Sequence, residues 1–257
     1  EAQVEAYQGV LEAFPGKKVV VRTLDAGADK PLPFLTDSTE ANPALGVRAY
    51  RTARRDPEVL EHQLQALAKA EAVTSAKVWV MAPMISTADE AKAFTDQARA
   101  HGLKIAGMMI EVPSAALMAD KMFEHADFAS IGTNDLTQYV MAADRLLSSL
   151  AYLSTGWQPA VLRLIKAACD GAAPHGRPVG VCGEAAADPA LAVVLVGLGV
   201  ASLSMTARAL PDVDAVLKSV DLADCRRLAQ IAIDSRTAED ARAAVRAELP
   251  VLEELGL

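Results

Sequence analysis

Residues 131–139 of this chain read IGTNDLTQY. The apolar run Phe128 to Ile131 stops abruptly, and Gly132, Thr133, Asn134 and Asp135 follow at once. Hydroxyl, amide and carboxylate oxygens therefore crowd together at the end of a strand-like segment. Hard cations such as Mg²⁺ take such oxygens, usually from one or two carboxylates, with substrate oxygens completing the shell. A second carboxylate, Glu111, closes the apolar run Ala-Gly-Met-Met-Ile. A carboxylate there is costly unless it is paired or bound to a metal. A salt bridge or a helix cap explains Glu111 alone equally well; with Asp135 one strand along, a shared metal is the better reading. Asn134 and Asp135 also have a plainer alternative, as caps of a helix starting near Leu136. Gly132, which lets backbone approach a ligand closely, weighs toward a site.

Arginines are the other candidates. Arg22, Arg48 and Arg145 offer planar forks of donors suited to phosphate or carboxylate. Any one of them singly is more often a solvated surface residue. Arg22 stands out because it directly follows Val19-Val20-Val21 in what reads as a buried strand. Cys182 ends Val-Gly-Val-Cys and precedes Gly183, unlike Cys169 and Cys225, which read as small buried hydrophobes. A thiol with a pKa near about 8.5 is mostly protonated at neutral pH and can act as a general acid. The four histidines, His62, His101, His125 and His175, fall on or after helices and carry no zinc spacing.

The elements that must position these residues alternate between β-like runs and helical patterns, which predicts βα units on a parallel sheet. Strands are predicted at Val19 to Leu24, Val78 to Ala82, Ile105 to Ile110, Phe128 to Ile131, Val179 to Cys182 and Ala201 to Ser204. Helices are predicted at 1–14, near Asn42 to Arg55, Pro57 to Ala70, Thr87 to His101, Ser114 to His125, Pro159 to Ala173, Asp188 to Leu198 and from about Asp212. Thr87-Ala-Asp-Glu90 offers a capping box, and Asp188-Pro189 an N-cap followed by proline. The stretch from Asp29 to Ala76 has room for further units. A closed (βα)₈ barrel and an open doubly wound sheet both remain; no Gly-rich nucleotide fingerprint follows any strand, which weakens the second. In barrels the active site lies at the C-terminal ends of the strands, where the polar residues named above gather.

The chain has 257 residues, 52% hydrophobic and 4% aromatic, which suits one well-buried α/β domain. Twenty-five Lys and Arg against 33 Asp and Glu give a net charge of -8, which argues against nucleic acid or an anionic membrane as partner. Three cysteines without CxxC spacing point to reduced thiols and a cytoplasmic protein. The longest apolar stretch, Ala190 to Ala201, is too short to cross a bilayer. The chain starts at Glu1 inside a helical pattern, so a fragment with sequence missing upstream is expected.

The segments VVVRTLDAGADK, NPALGVRAYR, MAPMIS, GMMIEVPSAA, FASIGTNDLTQYVMAADR, VGVCGEAAADP and SLSM occur in that order along nearly the whole chain. In this ordered set the chain resembles the C-terminal, phosphoenolpyruvate-binding domain of the Enzyme I family, the phosphoenolpyruvate–protein phosphotransferases of bacterial sugar uptake. The resemblance implies a (βα)₈ TIM barrel, residues 1–257 forming one phosphoenolpyruvate-binding and dimerisation domain. It implies that Arg22, Arg48 and Arg145 hold the phosphate and that Glu111 and Asp135 ligate Mg²⁺. Asn134 and the Asp135 backbone would also contact the substrate, and Cys182 would protonate the enolate. The implied partners are phosphoenolpyruvate and pyruvate, a second copy of the chain, and a phosphohistidine on an N-terminal domain that passes the phosphoryl group to HPr. Departures from the family pattern stand out. Leu146-Leu147-Ser148-Ser149 replaces the family's usual Gly-Asn, and STGWQP stands where Tyr-Gln-Pro is common. Gln65 and Lys69 also stand where Arg is common.

Three rivals remain: the related barrel of pyruvate phosphate dikinase or phosphoenolpyruvate synthase, a Mg²⁺-dependent aldolase or lyase, and a non-catalytic dimerisation module. Compact spacing and the AADR segment favour the first assignment over the dikinase.

Overall fold

Runs of Val and Ile bounded by Gly, Pro and polar residues set the strands, because branched side chains pack well on a pleated surface. The structure is a computed structural model that describes the chain except for residues 28–30, 33 and 36–38. The end of the VVVRTLDAGADK segment and part of the stretch after Asp29 therefore lie outside the described residues. Two units divide the chain, residues 1–109 with 125–128, and residues 110–124 with 129–257.

In the first unit α1 (Ala2–Glu12) is followed by β1 (Lys18–Arg22), α2 (Pro57–Ala72), β2 (Lys77–Ala82), α3 (Ala88–Ala100) and β3 (Ile105–Ile110), whose last residue opens the second unit. The strands are parallel and in chain order, with Val20 opposite Trp79 and Val80 opposite Ala106. β2 from Val80 and β3 from Ala106 are buried throughout, as parallel strands covered on both faces are. β1 corrects an expectation. It alternates between exposed and half-buried residues, with Val20 43% exposed, because among the described residues it pairs on one side only.

Gln63 of α2 couples three parts of this unit. Its amide donates to the Tyr7 hydroxyl at 2.8 Å and accepts from the Leu24 N–H at 2.9 Å. Thr87 caps α3 by accepting from the Glu90 N–H at 3.2 Å. The returning bond of the predicted capping box is shifted one residue, since Glu90 accepts from the Ser86 N–H at 2.8 Å. The single helix predicted over 42–55 is instead two 3₁₀ turns, Pro43–Leu45 and Ala49–Arg54. Gly46 is extended and Ala49 is left-handed (φ +53), with the Ala49 N–H drawn to the Ala26 carbonyl at 2.8 Å.

The second unit opens with α4 (Pro113–Leu117) and α5 (Ala119–Met122), where the sequence predicts one helix from Ser114 to His125. The break follows from tertiary packing, since α5 docks so tightly on a later helix that a side chain at Gly171 would come within 2.7 Å of the Asp120 nitrogen. The unit continues with β4 (Ala129–Gly132), α6 (Thr133–Met141), α7 (Pro159–Ala172), β5 (Val179–Cys182), α8 (Glu184–Ala187), α9 (Pro189–Gly197) and β6 (Ser202–Ser204). It ends with α10 (Leu210–Lys218), α11 (Leu222–Asp234), α12 (Ala238–Ala247) and α13 (Val251–Glu254). β4, β5 and β6 are parallel and in chain order, Gly132 facing Cys182 and Cys182 facing Ser204.

The apolar stretch from Ala190 becomes α9, apolar on every face and buried from Ala190 to Leu195, which is how such a helix is accommodated in a core. Asp188 caps it as predicted, accepting from the Ala190 and Leu191 N–H groups at 3.0 and 3.1 Å, with Pro189 first in the helix. No helix among the described residues is long and apolar enough to cross a membrane. The fold is α/β with parallel strands, six among the described residues. Among the described residues neither unit contains the reversal of strand order that marks a doubly wound sheet.

Two glycines in helices should respond oppositely to alanine. A Cβ at Gly197 would overlap the Cys225 carbonyl oxygen where α9 meets α11, whereas a Cβ at Gly9 in α1 meets nothing within 4 Å. Gly197→Ala should cost about 3 kcal/mol and Gly9→Ala gain about 0.5–1 kcal/mol in denaturant unfolding. Equal effects of either sign would refute the close approach of α9 and α11.

Candidate active site

The residues singled out from the sequence fall into two groups, one in each unit. In the first, Asp25 lies three residues beyond β1 with its side chain 1% exposed. Its Oδ1 accepts from Arg48 Nη2 at 3.1 Å, and its Oδ2 lies 3.6 Å from Arg22 Nη1. The Arg48 side chain is as buried as Asp25, while that of Arg22 is 44% exposed. One carboxylate thus holds two guanidinium groups, one rigidly and one at the surface.

Local structure explains how Arg48 gets there. It precedes the left-handed Ala49, whose N–H is tied to the segment after β1. Arg51 fastens the same loop, donating to the carbonyls of Leu45 and Gly46 at 3.2 and 3.1 Å and to Ser86 Oγ at 3.2 Å. The sequence assigned neither Asp25 nor Arg51 such a role; their positions inside VVVRTLDAGADK and NPALGVRAYR were the available signal.

In the second unit the organising residue is Gly132. It ends β4 and serves as the N-cap of α6, which starts at Thr133. Asn134 and Asp135 therefore lie inside the first turn and are not caps of a later helix, which corrects the plainer reading of that pair. Asn134 is exposed, and Asp135 is buried at 5% exposure. The N-cap of α6 is a glycine with no side chain of its own to cap the helix, and the positive end of the helix dipole lies at this first turn. The Glu111 side chain, 2% exposed, lies directly against Gly132: a Cβ there would stand 2.5 Å from Glu111 Oε1.

Arg145 returns to this place because α6 ends on left-handed Ala142 (φ +48), reversing the chain. The Arg145 N–H donates to Gln138 Oε1 at 3.0 Å, and its Nη1 lies 3.7 Å from Asp135 Oδ2. The atypical segment after Arg145 leaves Leu146 81% exposed, but its far end is anchored. Trp157, 4% exposed, donates its indole N–H to Asp188 Oδ2 at 2.9 Å. A cleft of about 560 Å³ is lined by Thr133, Asn134, Arg145, Trp157, Glu184 and Asp188, among others.

Cys182 is the last residue of β5 and half-buried. Its thiol donates to the Ile131 carbonyl at 3.4 Å, and the Thr133 hydroxyl donates to the Cys182 carbonyl at 3.3 Å. The other thiols differ. Burial pushes Cys169 up to about 12, and Cys225 is raised by burial and then by Asp224 and Asp221. The four histidines contribute nothing here; His62 and His175 are exposed, and His101 pairs with Glu61 at 3.0 Å.

The donor set bears on a metal. Among the described residues no three His, Cys, Asp or Glu side chains gather as a metal site. What the second unit offers is a pair of buried carboxylates, Glu111 and Asp135, suited to Mg²⁺, which keeps water and substrate oxygens in its shell. The pair does not suit zinc, which is usually closed by three or four protein ligands.

This site sits on a chain whose residues 1–222 match the model of the PEP-utilising enzymes' PEP-binding domain, and the chain belongs to that family. It is 52% identical to a phosphoenolpyruvate-protein phosphotransferase of Streptomyces coelicolor over 97% of this chain and 45% of that protein. It is 41% identical to one of Staphylococcus carnosus, over 93% and 44% of the two chains. A multiphosphoryl transfer protein of Xanthomonas campestris is 44% identical over 95% of this chain and 30% of its own length. The chain thus spans less than half the length of these curated relatives. Among solved structures, a citrate lyase of Burkholderia xenovorans aligns with a TM-score of 0.50 at 10% identity, covering 100% of this chain and 80% of its own. That likeness concerns the fold alone.

Thiol chemistry tests the contrast among cysteines. Because thiolate is the reactive form, iodoacetamide at neutral pH should label Cys182 well before Cys169 or Cys225, as read by peptide mass spectrometry. Faster labelling of either buried thiol would contradict the burial described.

Proposed function

We propose that this chain is the phosphoenolpyruvate-binding part of a phosphoenolpyruvate–protein phosphotransferase. In this reading residues 1–257 form one domain, a (βα)₈ barrel, that dimerises with a second copy in the cytoplasm. It binds phosphoenolpyruvate with Mg²⁺ and donates the phosphoryl group to a histidine on an N-terminal domain, from which it passes to HPr. The observation that carries the reading is the seating of the buried Glu111 carboxylate over Gly132, at the start of the helix that bears Asn134 and Asp135. The named relatives favour phosphotransferase over the dikinase and over a lyase, for which only fold likeness speaks.

Each residue then has a task set by its environment. Arg22, Arg48 and Arg145 neutralise the phosphate, Arg48 from a fixed orientation and the more exposed Arg22 and Arg145 with freedom to follow the ligand. Asn134 and the Asp135 N–H, in the first turn of α6, donate to phosphate oxygens as helix N-termini do. Glu111 and Asp135 would hold Mg²⁺, which when bound supplies charge neutralisation at the phosphate and the developing enolate. As the phosphoryl group leaves the enol oxygen for the histidine nitrogen, the Cys182 thiol gives its proton to the terminal carbon. Pyruvate results, and the thiolate recovers a proton from water.

Titration calorimetry with phosphoenolpyruvate should give binding that depends on Mg²⁺. Gly132→Ala, which pushes Glu111 from its seat, should weaken binding about tenfold or more, about 1.4 kcal/mol. No heat and no thermal shift at saturating ligand and Mg²⁺ would leave the dimerisation module as the better account. In a protein that carries the phosphohistidine domain, Cys182→Ala should keep binding and slow pyruvate formation about 100-fold. Unchanged turnover would remove Cys182 from its role.

A further inference from the structure

We infer that Thr133 is a positioning residue that sets the direction in which the Cys182 thiol delivers its proton; the inference rests on the reading of Cys182 as proton donor. β4 and β5 stop together at the Gly132–Cys182 pair, because the chain after Gly132 coils straight into α6. Past that pair the Cys182 carbonyl is met by a side chain: Thr133, 2% exposed, places Oγ1 3.3 Å from it. The next residue, Gly183, has φ +92 and ψ −158, a conformation open essentially to glycine alone. Glycine restrains the peptide plane it shares with Cys182 very little, and the Thr133 hydroxyl adds a side-chain tie to that plane beside the pairing of β5 with its neighbours.

The thiol bond runs the other way, from Cys182 Sγ to the Ile131 carbonyl at 3.4 Å. Two side-chain bonds of opposite sense therefore cross the ends of β4 and β5. For chemistry the thiol must leave Ile131 by rotating about its Cα–Cβ bond, and the arc it follows is set by the backbone that Thr133 holds. In the step itself the S–H bond breaks and a C–H bond forms at the terminal enolate carbon, whose electron pair makes the new bond. The thiolate left behind takes a proton from water. Without the Thr133 tie, sulfur would still reach Ile131 but would be aimed less well at carbon, and misplacement by about 1 Å costs about 100-fold in rate. Thr133 also lines the cleft that holds Asn134 and Arg145, so contact with substrate is the competing role.

The test uses this 257-residue chain with Mg²⁺ and two readouts: calorimetric affinity for phosphoenolpyruvate, and uptake of solvent deuterium into the methyl group of pyruvate followed by proton NMR. Deuterium uptake runs the step in reverse, the thiolate taking a methyl proton to give enolate and thiol. Thr133→Val, which keeps the shape and removes the hydroxyl, should bind within about twofold of the parent and exchange about 10- to 100-fold more slowly. Thr133→Ser, which keeps the hydroxyl, should restore exchange to within about threefold. Thr133→Ala serves the same comparison where the valine chain does not fold. Exchange at the parent rate in Thr133→Val overturns the positioning role and leaves the phosphotransferase reading standing. Weakened affinity in Thr133→Val, or failure of Thr133→Ser to restore exchange, makes Thr133 a substrate contact or a packing residue and overturns it as well. A parent chain that binds but does not exchange overturns it too, since no proton path is left to direct. A parent chain that does neither sinks the phosphotransferase reading itself.

Discussion

The missing side chain at Gly132 is the constraint on which the chemistry of the second unit depends. The Glu111 carboxylate fills the space that a Cβ would need. A carboxylate with 2% exposure is costly to bury, and it is buried beside the start of α6, where the positive end of the helix dipole favours negative charge. The same glycine is the last residue of β4 and the N-cap of α6. Strand end, carboxylate seat and helix start are therefore one local arrangement, and Asn134 and Asp135 inherit their places from it.

The first unit follows a related rule with the charges reversed. Arg48 can be buried because Asp25 is buried with it. Such a pair is weak as a source of stability, since desolvation offsets most of the Coulombic gain. Its consequence is orientation: Arg48 keeps one direction whether or not an anion is present, while Arg22, on the other oxygen of the same carboxylate, stays half in solvent. Arg145 resembles Arg22 in this respect, with backbone held by Gln138 and guanidinium only loosely against Asp135. The first unit thus presents one fixed and one adjustable cation, and the second unit one adjustable cation.

The departures from the family pattern sort by position. Leu146 and Leu147 are at the surface. Trp157 is buried, and its indole N–H reaches the carboxylate that also caps α9, so the segment beyond Arg145 is tied to the α9 N-terminus through Asp188. Gln65 and Lys69 lie on α2; Gln65 donates to Glu61 at 3.1 Å, in a cluster with Gln97 and His101.

Much of this was legible in the amino-acid sequence, and the physical reason is locality. Strands β3 and β5 begin and end where their apolar runs do, and Asp188-Pro189 caps α9 as its residue types require. These features depend on side-chain period and on hydrogen bonds spanning two or three residues. Arg22, Glu111, Asp135 and Cys182 could be singled out for the same reason, each closing or following such a run. What the sequence misjudged depends on distant partners. The helix over 42–55 gives way to turns tied to Ala26, the helix over 114–125 breaks where Gly171 docks, and β1 is half-exposed where, among the described residues, it pairs on one side only. Only the tertiary structure decides that Arg48 meets Asp25 across 23 residues, Trp157 meets Asp188 across 31, and Thr133 meets Cys182 across 49. No local period encodes those meetings, because they exist only once the strands have settled in register and closed the chain between them.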